Sequence, residues 1–371
     1  MKSNITGRLA FASVIALACV GVATPASAQK IENSYICVFK EGTVGRGQEK
    51  AQANAAAANA GGNVNHVYTN AIRGFAANMS ARGAAQMQAS NPRIAYCEQD
   101  QVVETAQGKP DKGGSTGSAT ETTPWGIARV GGGQTGATGR AFVIDSGVDL
   151  DHPDLNVNTG MSRSFTREKN ADDGNGHGTH VAGTIAAIAN NNIGVVGVAA
   201  GAEIVAVKVL TRSGSGSNSG VIAGVDYVAQ VGRPGDVANM SLGGGVSTVL
   251  DNAVINAAAG GVKFVLAAGN ESDDADNHSP ARANGPNVFT VSSFAQGDNW
   301  SSFSNFGNPP VDYAEPGSAI YSTYKGGGYA TLSGTSMAAP HLAGLLLLGP
   351  VRSGGTVKGD PDGNPDTIGI R

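Results

Sequence analysis

From Trp125 onward the chain alternates short apolar runs with helix-like segments, an order that few architectures accept. The strand-like runs are Ala141–Ile144, Glu203–Leu210, Asp236–Ser241, Val262–Ala268 and Asn287–Ser293. Helix-like stretches fall between them: Thr179–Ala189, Gly220–Ala229 with Val221, Val225 and Val228 at helical spacing, and Thr248–Ala258. A long apolar helix follows over Ala338–Leu348. Strands that are apolar throughout are buried on both faces. The pattern therefore predicts α/β, a three-layer α/β/α unit with a mainly parallel sheet. At 371 residues the chain has room for one smaller domain besides.

The smaller unit is expected at 29–105. Ser34–Lys40 reads as a strand, with Tyr35, Cys37 and Phe39 alternating against Ile36 and Val38. A helix over about Gln48–Ala60, strands near Val64–Tyr68 and Ile72–Met79, a helix over Ala81–Gln88 and a strand over Arg93–Glu104 complete the order. That is β-α-β-β-α-β, the split βαβ (ferredoxin-like) α+β arrangement, in which first and last strands are neighbours. Cys37 and Cys97 then come close enough for a disulfide, and two free buried thiols remain the alternative. Every residue after Cys97 is thiol-free, which excludes cysteine catalysis or a thiolate metal site in the larger part.

Three further segments carry no core. Residues 1–28 read as a signal peptide: Lys2 and Arg8, an apolar run over Leu9–Ala23, and the small-residue cleavage site Ala26-Ser27-Ala28. The product is then secreted, extracellular or periplasmic, with no membrane attachment once the leader is removed. Residues 106–120 have no apolar periodicity and read as a processing linker. The larger unit spans 121–349, and 350–371 is a Gly/Asp-rich tail read as a disordered acidic end, although Asp360, Asp362 and Asp366 could bind calcium. The net charge of −4 gives no reason to expect nucleic acid.

The chemistry concentrates in Leu332–Gly344, Leu-Ser-Gly-Thr-Ser-Met-Ala-Ala-Pro-His-Leu-Ala-Gly. Ser336 follows two small residues at the amino end of a buried helix, where backbone N–H groups and the helix dipole favour an oxyanion. A serine hydroxyl still needs a base, and the base needs an orienting group. Asp145 ends an apolar strand. His177 sits among glycines at the start of an apolar helix, whose positive end favours a neutral ring. Asn270, at another strand end, could donate to an oxyanion. A zinc reading of His177 with His180 has neither the spacing nor a third ligand.

Taken together, Asp145-Ser-Gly, His177-Gly-Thr-His-Val-Ala-Gly, Ala267-Ala-Gly-Asn and Gly334-Thr-Ser-Met-Ala-Ala-Pro-His resemble the subtilisin-type serine proteases, in that order. Ser279-Pro280-Ala281 and Ser302-Phe303-Ser304-Asn305 resemble the proteinase K branch. The resemblance implies a nucleophile at Ser336, a base at His177, an orienting carboxylate at Asp145 and an oxyanion hole from Asn270 and the Ser336 N–H. It implies that Ser241-Leu242-Gly243-Gly244 and Gly214-Ser215-Gly216 are the two edges that pair with an extended peptide. Ala267-Ala268-Gly269 would form an uncharged floor, favouring apolar or aromatic residues before the cut bond.

The 29–105 unit resembles the family's propeptide, an intramolecular inhibitor and folding template. The implied product is a zymogen of a monomeric endopeptidase acting on polypeptides. Calcium is the implied cofactor. One site would use Asp154, Asn191, the carbonyls of Ala189, Ile193 and Val195, and Glu121. A second would use Asp312 with the carbonyl of Pro280. Asn218 stands where the family often has an aromatic beside an outer subsite. Two alternatives are an α/β-hydrolase esterase, because Gly113-Gly-Ser115-Thr-Gly117 fits G-x-S-x-G, and a catalytically silent binding protein. Ser115 lies in the linker, outside the strand–turn–helix context such a motif needs.

Overall fold

The computed structural model describes residues 1, 29–106 and 120–371. Residues 2–28 of the expected leader and most of the linker, Ser115 included, lie outside them. The amino-terminal unit has the expected order: β1 (Lys30–Phe39), α1 (Glu49–Asn59), β2 (Asn63–Tyr68), β3 (Gly74–Asn78), α2 (Ala81–Ser90) and β4 (Ile94–Thr105). Its antiparallel sheet runs β4-β1-β3-β2. Ala53, Ala56 and Ala57 let α1 lie close on that sheet, over Cys37, Phe39 and Phe75. Ser80 caps α2 by accepting the Gly83 N–H. Cys37 lies opposite Cys97 in the β1–β4 register, and the two form a disulfide.

The larger unit begins with α3 (Trp125–Val130), β5 (Ala141–Asp145), β6 (Arg163–Ser164), α4 (His177–Ala186), β7 (Ile204–Lys208), β8 (Ser215–Ser217), α5 (Asn218–Val231), β9 (Val237–Met240), β10 (Leu242–Gly245) and α6 (Thr248–Ala258). It continues with β11 (Lys263–Ala267), β12 (His278–Ser279), β13 (Val288–Ala295), β14 (Asn299–Trp300), β15 (Val311–Pro316), β16 (Ile320–Tyr324), β17 (Gly328–Leu332), α7 (Thr335–Leu348), β18 (Arg352–Thr356) and β19 (Thr367–Ile370). The central sheet runs β18-β19-β15-β13-β11-β9-β5-β7-β6 and is parallel from β6 to β19. The period of two along a strand splits its side chains between two cores. Phe142 and Ile144 of β5 pack with α5 and α6, while Ala141 and Val143 pack with α4 and α7. The inner strands β5, β7 and β9 are buried on both faces, which is why they read as continuous apolar runs.

The tail is not the disordered acidic end expected from its composition. β19 adds in parallel to β15, and β18 folds back antiparallel on β19. Ile368 and Val357 complete a small core with Phe294 and Ala314, and Asp366 is buried against Ser292 and Asn308. The apolar positions that anchor this hairpin are few and lie between Gly and Asp, so composition hides them.

Candidate active site

Asp145 pairs directly with His177, and Asn270 pairs with Thr335 beside Ser336; among the described residues no hydrogen bond joins His177 to Ser336. Asp145 is the last residue of β5, and His177 is the first of α4; both are fully buried. The His177 Nδ1 lies 2.8 and 2.9 Å from the two Asp145 carboxylate oxygens. A carboxylate only accepts, so Nδ1 carries the hydrogen and Nε2 is left as the acceptor. That Nε2 is buried with no hydrogen-bond partner among the described residues.

Glycine makes this approach possible. A Cβ on Gly178 would stand 2.0 Å from the Gly147 carbonyl oxygen and 3.1 Å from the Asp145 Cβ, so only glycine lets α4 come this close to the β5 turn. Asp173, not singled out from the sequence, ties the two segments together. It accepts from the Ser146 hydroxyl (2.9 Å), the Thr179 N–H (3.0 Å) and the Thr179 hydroxyl (2.6 Å). His180 turns away: its Nε2 faces the carbonyls of Ile320 and Ala330, and burial pushes the ring down to about 3. It is a neutral structural histidine and no partner for a metal.

Ser336 is the second residue of α7. Pro340, four residues on, has no N–H to offer the Ser336 carbonyl. The Ser241 hydroxyl fills that vacancy at 2.8 Å, and the Asn239 amide holds the Ser241 hydroxyl at 2.8 Å. The Ser336 hydroxyl donates to the Ser241 carbonyl at 3.0 Å, while its backbone N–H donates to the Ala106 carbonyl at 3.3 Å. Asn270 stands on the other side. Its Oδ1 accepts from the N–H and hydroxyl of Thr335 (2.8 and 3.0 Å), and its Nδ2 is buried without a partner among the described residues. An orphaned donor therefore lies next to the Ser336 N–H, with its side chain fixed from behind.

Ala106 ends the amino-terminal unit, and its preceding strand fills the cleft. β4 lies antiparallel between β10, with Leu242 opposite Thr105 and Gly244 opposite Val103, and β8, with Gly216 opposite Val103 and Ser215 opposite Glu104. The Thr105 N–H bonds the Gly214 carbonyl (3.0 Å) and the Ala106 N–H bonds the Ser241 carbonyl (3.3 Å). Both edges expected from the sequence flank this strand. Val103 is buried in the same core as Val221, Leu242 and Leu250. Asn218, at the start of α5, is buried with both amide atoms unpartnered among the described residues.

The unit is also docked by its carboxylates and backbone. The N–H groups of Thr69, Asn70 and Ala71 all point at Asp226 on α5, at 2.7 to 3.2 Å. Asp100 caps the start of α5 through the Ser219 N–H (3.0 Å) and hydroxyl (2.6 Å). Glu98 accepts from the hydroxyl of Ser247, the residue that caps α6. Carboxylates at two helix amino ends suit the helix dipoles.

A cavity of about 290 Å³ opens beside Ala106. Gly243, Ala267, Ala268 and Gly269 line it as expected, but Glu271 and His278 line it too. Their sequence signal was weak, since both sit in a polar loop that reads as a turn.

The residues named for calcium divide. Asp154 is buried, and burial raises its carboxyl above the usual range. It accepts from the Asn191 amide (2.6 Å), the Val195 N–H (3.1 Å) and the Tyr329 hydroxyl (3.2 Å). Glu121 accepts from the N–H groups of Asn191 and Asn192. Among the described residues no donor bonds the carbonyls of Ala189, Ile193 or Val195. A buried carboxylate amid uncommitted carbonyls is a donor set that fits a hard cation. The other set is looser. Asp312 accepts the Thr290 N–H (2.9 Å), whereas the Pro280 carbonyl accepts the Ala283 N–H (2.8 Å) and closes a turn. Among the described residues no three His, Cys, Asp or Glu side chains converge as a metal cluster.

Comparison with known proteins follows the same division of the chain. Residues 142–349 match the subtilase family, and residues 34–106 match peptidase inhibitor I9. Alkaline serine exoprotease A of Vibrio alginolyticus is 43% identical over 299 residues, 77% of this chain and 53% of that protein, so this chain spans about half the length of that relative. Proteinase R of Parengyodontium album is 36% identical over 336 residues, 86% of this chain and 80% of that protein. Among solved structures, a cold adapted subtilisin-like serine proteinase is 45% identical, with a TM-score of 0.55 over 62% of this chain and 88% of its own. The chain thus belongs to the subtilase family of serine proteases, with an I9-type propeptide ahead of its peptidase domain.

Proposed function

We propose that the protein is a secreted zymogen of a serine endopeptidase, working through Asp145, His177 and Ser336. In this reading the Ser336 hydroxyl turns from the Ser241 carbonyl and attacks a peptide carbonyl, giving its proton to His177 Nε2. Asp145 holds the imidazole in the tautomer that accepts there and stabilises the imidazolium that forms. The Asn270 Nδ2 and the Ser336 N–H stabilise the oxyanion. The proton then passes from His177 to the leaving amine, and water hydrolyses the acyl-enzyme by the same steps.

The observation that carries this reading is the Ser336 N–H bonded to the Ala106 carbonyl, beside the unpartnered Asn270 Nδ2. A carbonyl held there, on a strand paired along both edges of the cleft, sits as a scissile carbonyl would. Residues 29–105 then act as an inhibitor that occupies the substrate path, and the mature domain starts within the linker. Because main-chain pairing ignores side chains, the activity is broad, with apolar or aromatic residues favoured before the cut bond by the Ala267–Gly269 wall. Calcium, bound by Asp154, Asn191, Glu121 and the carbonyls of Ala189, Ile193 and Val195, would supply structural charge compensation and no chemistry. Asp312 with Pro280 is a weaker second candidate. The mature enzyme acts as a monomer.

The test is casein hydrolysis by the processed protein together with mapping of a fluorophosphonate label. Label on Ser336, and loss of both label and activity in Ser336→Ala but not in Ser115→Ala, is the expected result. Label on another residue would sink the assignment.

A further inference from the structure

We infer that Lys208 and Glu168 are positioning residues for Asp145 and His177, and that the Lys208 charge extends activity to lower pH. This rests on the protease reading above, whose chemistry uses neither residue. Lys208 ends β7, in register with Asp145 at the end of β5, and it is fully buried. A lysine is almost never enclosed in this way unless its charge is met. Here the ammonium donates to the Ser146 carbonyl and lies 3.1 Å from Glu168 Oε2.

Ser146 follows Asp145 directly, and each of its polar groups is met. Its N–H donates to Asp145 Oδ1 (2.6 Å), and its hydroxyl donates to Asp173 (2.9 Å) while accepting the Gly178 N–H (3.0 Å). Its carbonyl accepts from Lys208, which thereby holds the turn behind the Asp145 carboxylate. Glu168 carries the contact further. Its Oε1 accepts the Arg212 N–H (3.1 Å), the Arg212 carbonyl accepts the Asn175 amide (3.1 Å), and Asn175 Oδ1 accepts the His177 N–H (3.2 Å). The bond between Asp145 and His177 closes the ring. Arg212 lies in the turn before β8, where the Gly214 carbonyl accepts the Thr105 N–H. One edge of the cleft and the Asp145–His177 pair thus share a single hydrogen-bonded ring, and the Lys208–Glu168 ion pair is its span across the interior.

Charge follows the same geometry. The groups facing Lys208 are Asp145 on β5, Glu168 and Asp173 on the loop before α4, and His177 at the start of α4. His180, one turn along α4, is held neutral by burial, and the Arg212 side chain is exposed. Burial works against ionisation of Glu168, but the Arg212 N–H and Lys208 outweigh it and hold the carboxyl below its usual range. Two buried carboxylates, Asp145 and Asp173, favour an imidazolium at His177, and the buried ammonium opposes it. Only the neutral imidazole can accept the Ser336 proton, so losing the ammonium would confine activity to higher pH.

The test is the pH profile of kcat/KM on one peptide p-nitroanilide for processed wild type, Lys208→Met and Glu168→Gln, with rates counted per site that takes the fluorophosphonate label. Counting labelled sites removes losses that come only from misfolding, and a merely structural role would leave the acid limb of the profile in place. Lys208→Met should move that limb up by roughly half to one pH unit, the scale of one charge at several ångströms in a partly polar interior. Glu168→Gln removes the opposite charge and should move the limb down, by roughly 0.2 to 0.5, because Glu168 is partly solvated. The plateau should fall roughly three- to tenfold in both as the ring opens. If Lys208→Met yields no labelled enzyme, Glu168→Gln decides alone. An acid limb that stays put or moves the other way in either variant, or an undiminished plateau, overturns the inference. Wild type that neither cuts the substrate nor takes label on Ser336 overturns the protease reading instead.

Discussion

Ala106 and Ser336 are joined by one hydrogen bond, from the serine N–H to the alanine carbonyl oxygen at 3.3 Å. Around that bond the propeptide strand is in register with both edges of the cleft. In the proposed protease reading, the bond after Ala106 is the first candidate for the maturation cut. Amino-terminal sequencing of the mature protein at its first appearance should begin at Gln107, and Ser336→Ala should remain uncut. A first mature terminus several residues away would show that the strand shifts before cleavage.

Asn270 is aimed by Thr335. Asn270→Ala should lower kcat about 100- to 1,000-fold, a figure that comes from subtilisin itself. Thr335→Val removes one of the two bonds that hold the amide oxygen and keeps the backbone one, so roughly two- to tenfold is expected, on the scale of one neutral hydrogen bond. Steady-state kinetics on one peptide would rank the two. Equal losses would mean that Thr335 does more than position Asn270.

Asp226 receives three backbone N–H groups from the propeptide turn. Asp226→Ala removes their shared acceptor; only the Ala71 N–H is buried, so about 1–3 kcal/mol is expected for that one donor left unmet. The interval between cleavage at Ala106 and the appearance of activity should shorten. An unchanged interval would mean that β4 in the cleft sets the inhibition alone.

Asp312 gives a pH test. Asp312 keeps an exposed edge, but partial desolvation of its carboxyl, helped by the charge of Asp366, pushes it up to about 6. The folded protein holds this proton more tightly than the unfolded chain. Its stabilising effect is thus complete below pH 4 and lost as pH rises through about 6. In chelator, Asp312→Asn should melt above wild type at pH 8, with the gap closing by pH 4. Calcium should raise the melting temperature of wild type, and Asp154→Asn should lose most of that gain. A calcium response untouched by Asp154→Asn would remove Asp154 from the ligand set.

Ile368→Ala in the tail hairpin should cost about 2–5 kcal/mol in urea unfolding of the inactive Ser336→Ala zymogen, the usual range for a buried isoleucine. A loss under about 0.5 kcal/mol, typical of surface positions, would mean that β19 is dispensable to the sheet.

The sequence is most legible where structure obeys a period. The five strand runs of the larger unit came through because they are short continuous apolar stretches between helix-like segments, and the β-α-β-β-α-β order also came through. The residues of the site were legible because each stands at a strand end or a helix start with glycine beside it. What stayed hidden depends on contacts across the chain. Asp173 reads as an ordinary loop aspartate until Ser146 and Thr179 arrive. Glu271 and His278 become cavity residues only once β10 and β11 are side by side. The tail was misread because two short apolar anchors, Val357 and Ile368, are diluted by glycine and aspartate. No periodicity announces that β19 completes a parallel sheet.

The cross-link between β1 and β4 belongs entirely to the part of the molecule that a cut after Ala106 would set aside. Oxidising conditions are then a need of birth and not of working life. A reductant should hamper production of the enzyme, yet leave the finished catalyst, which has no cysteine at all, indifferent to thiols.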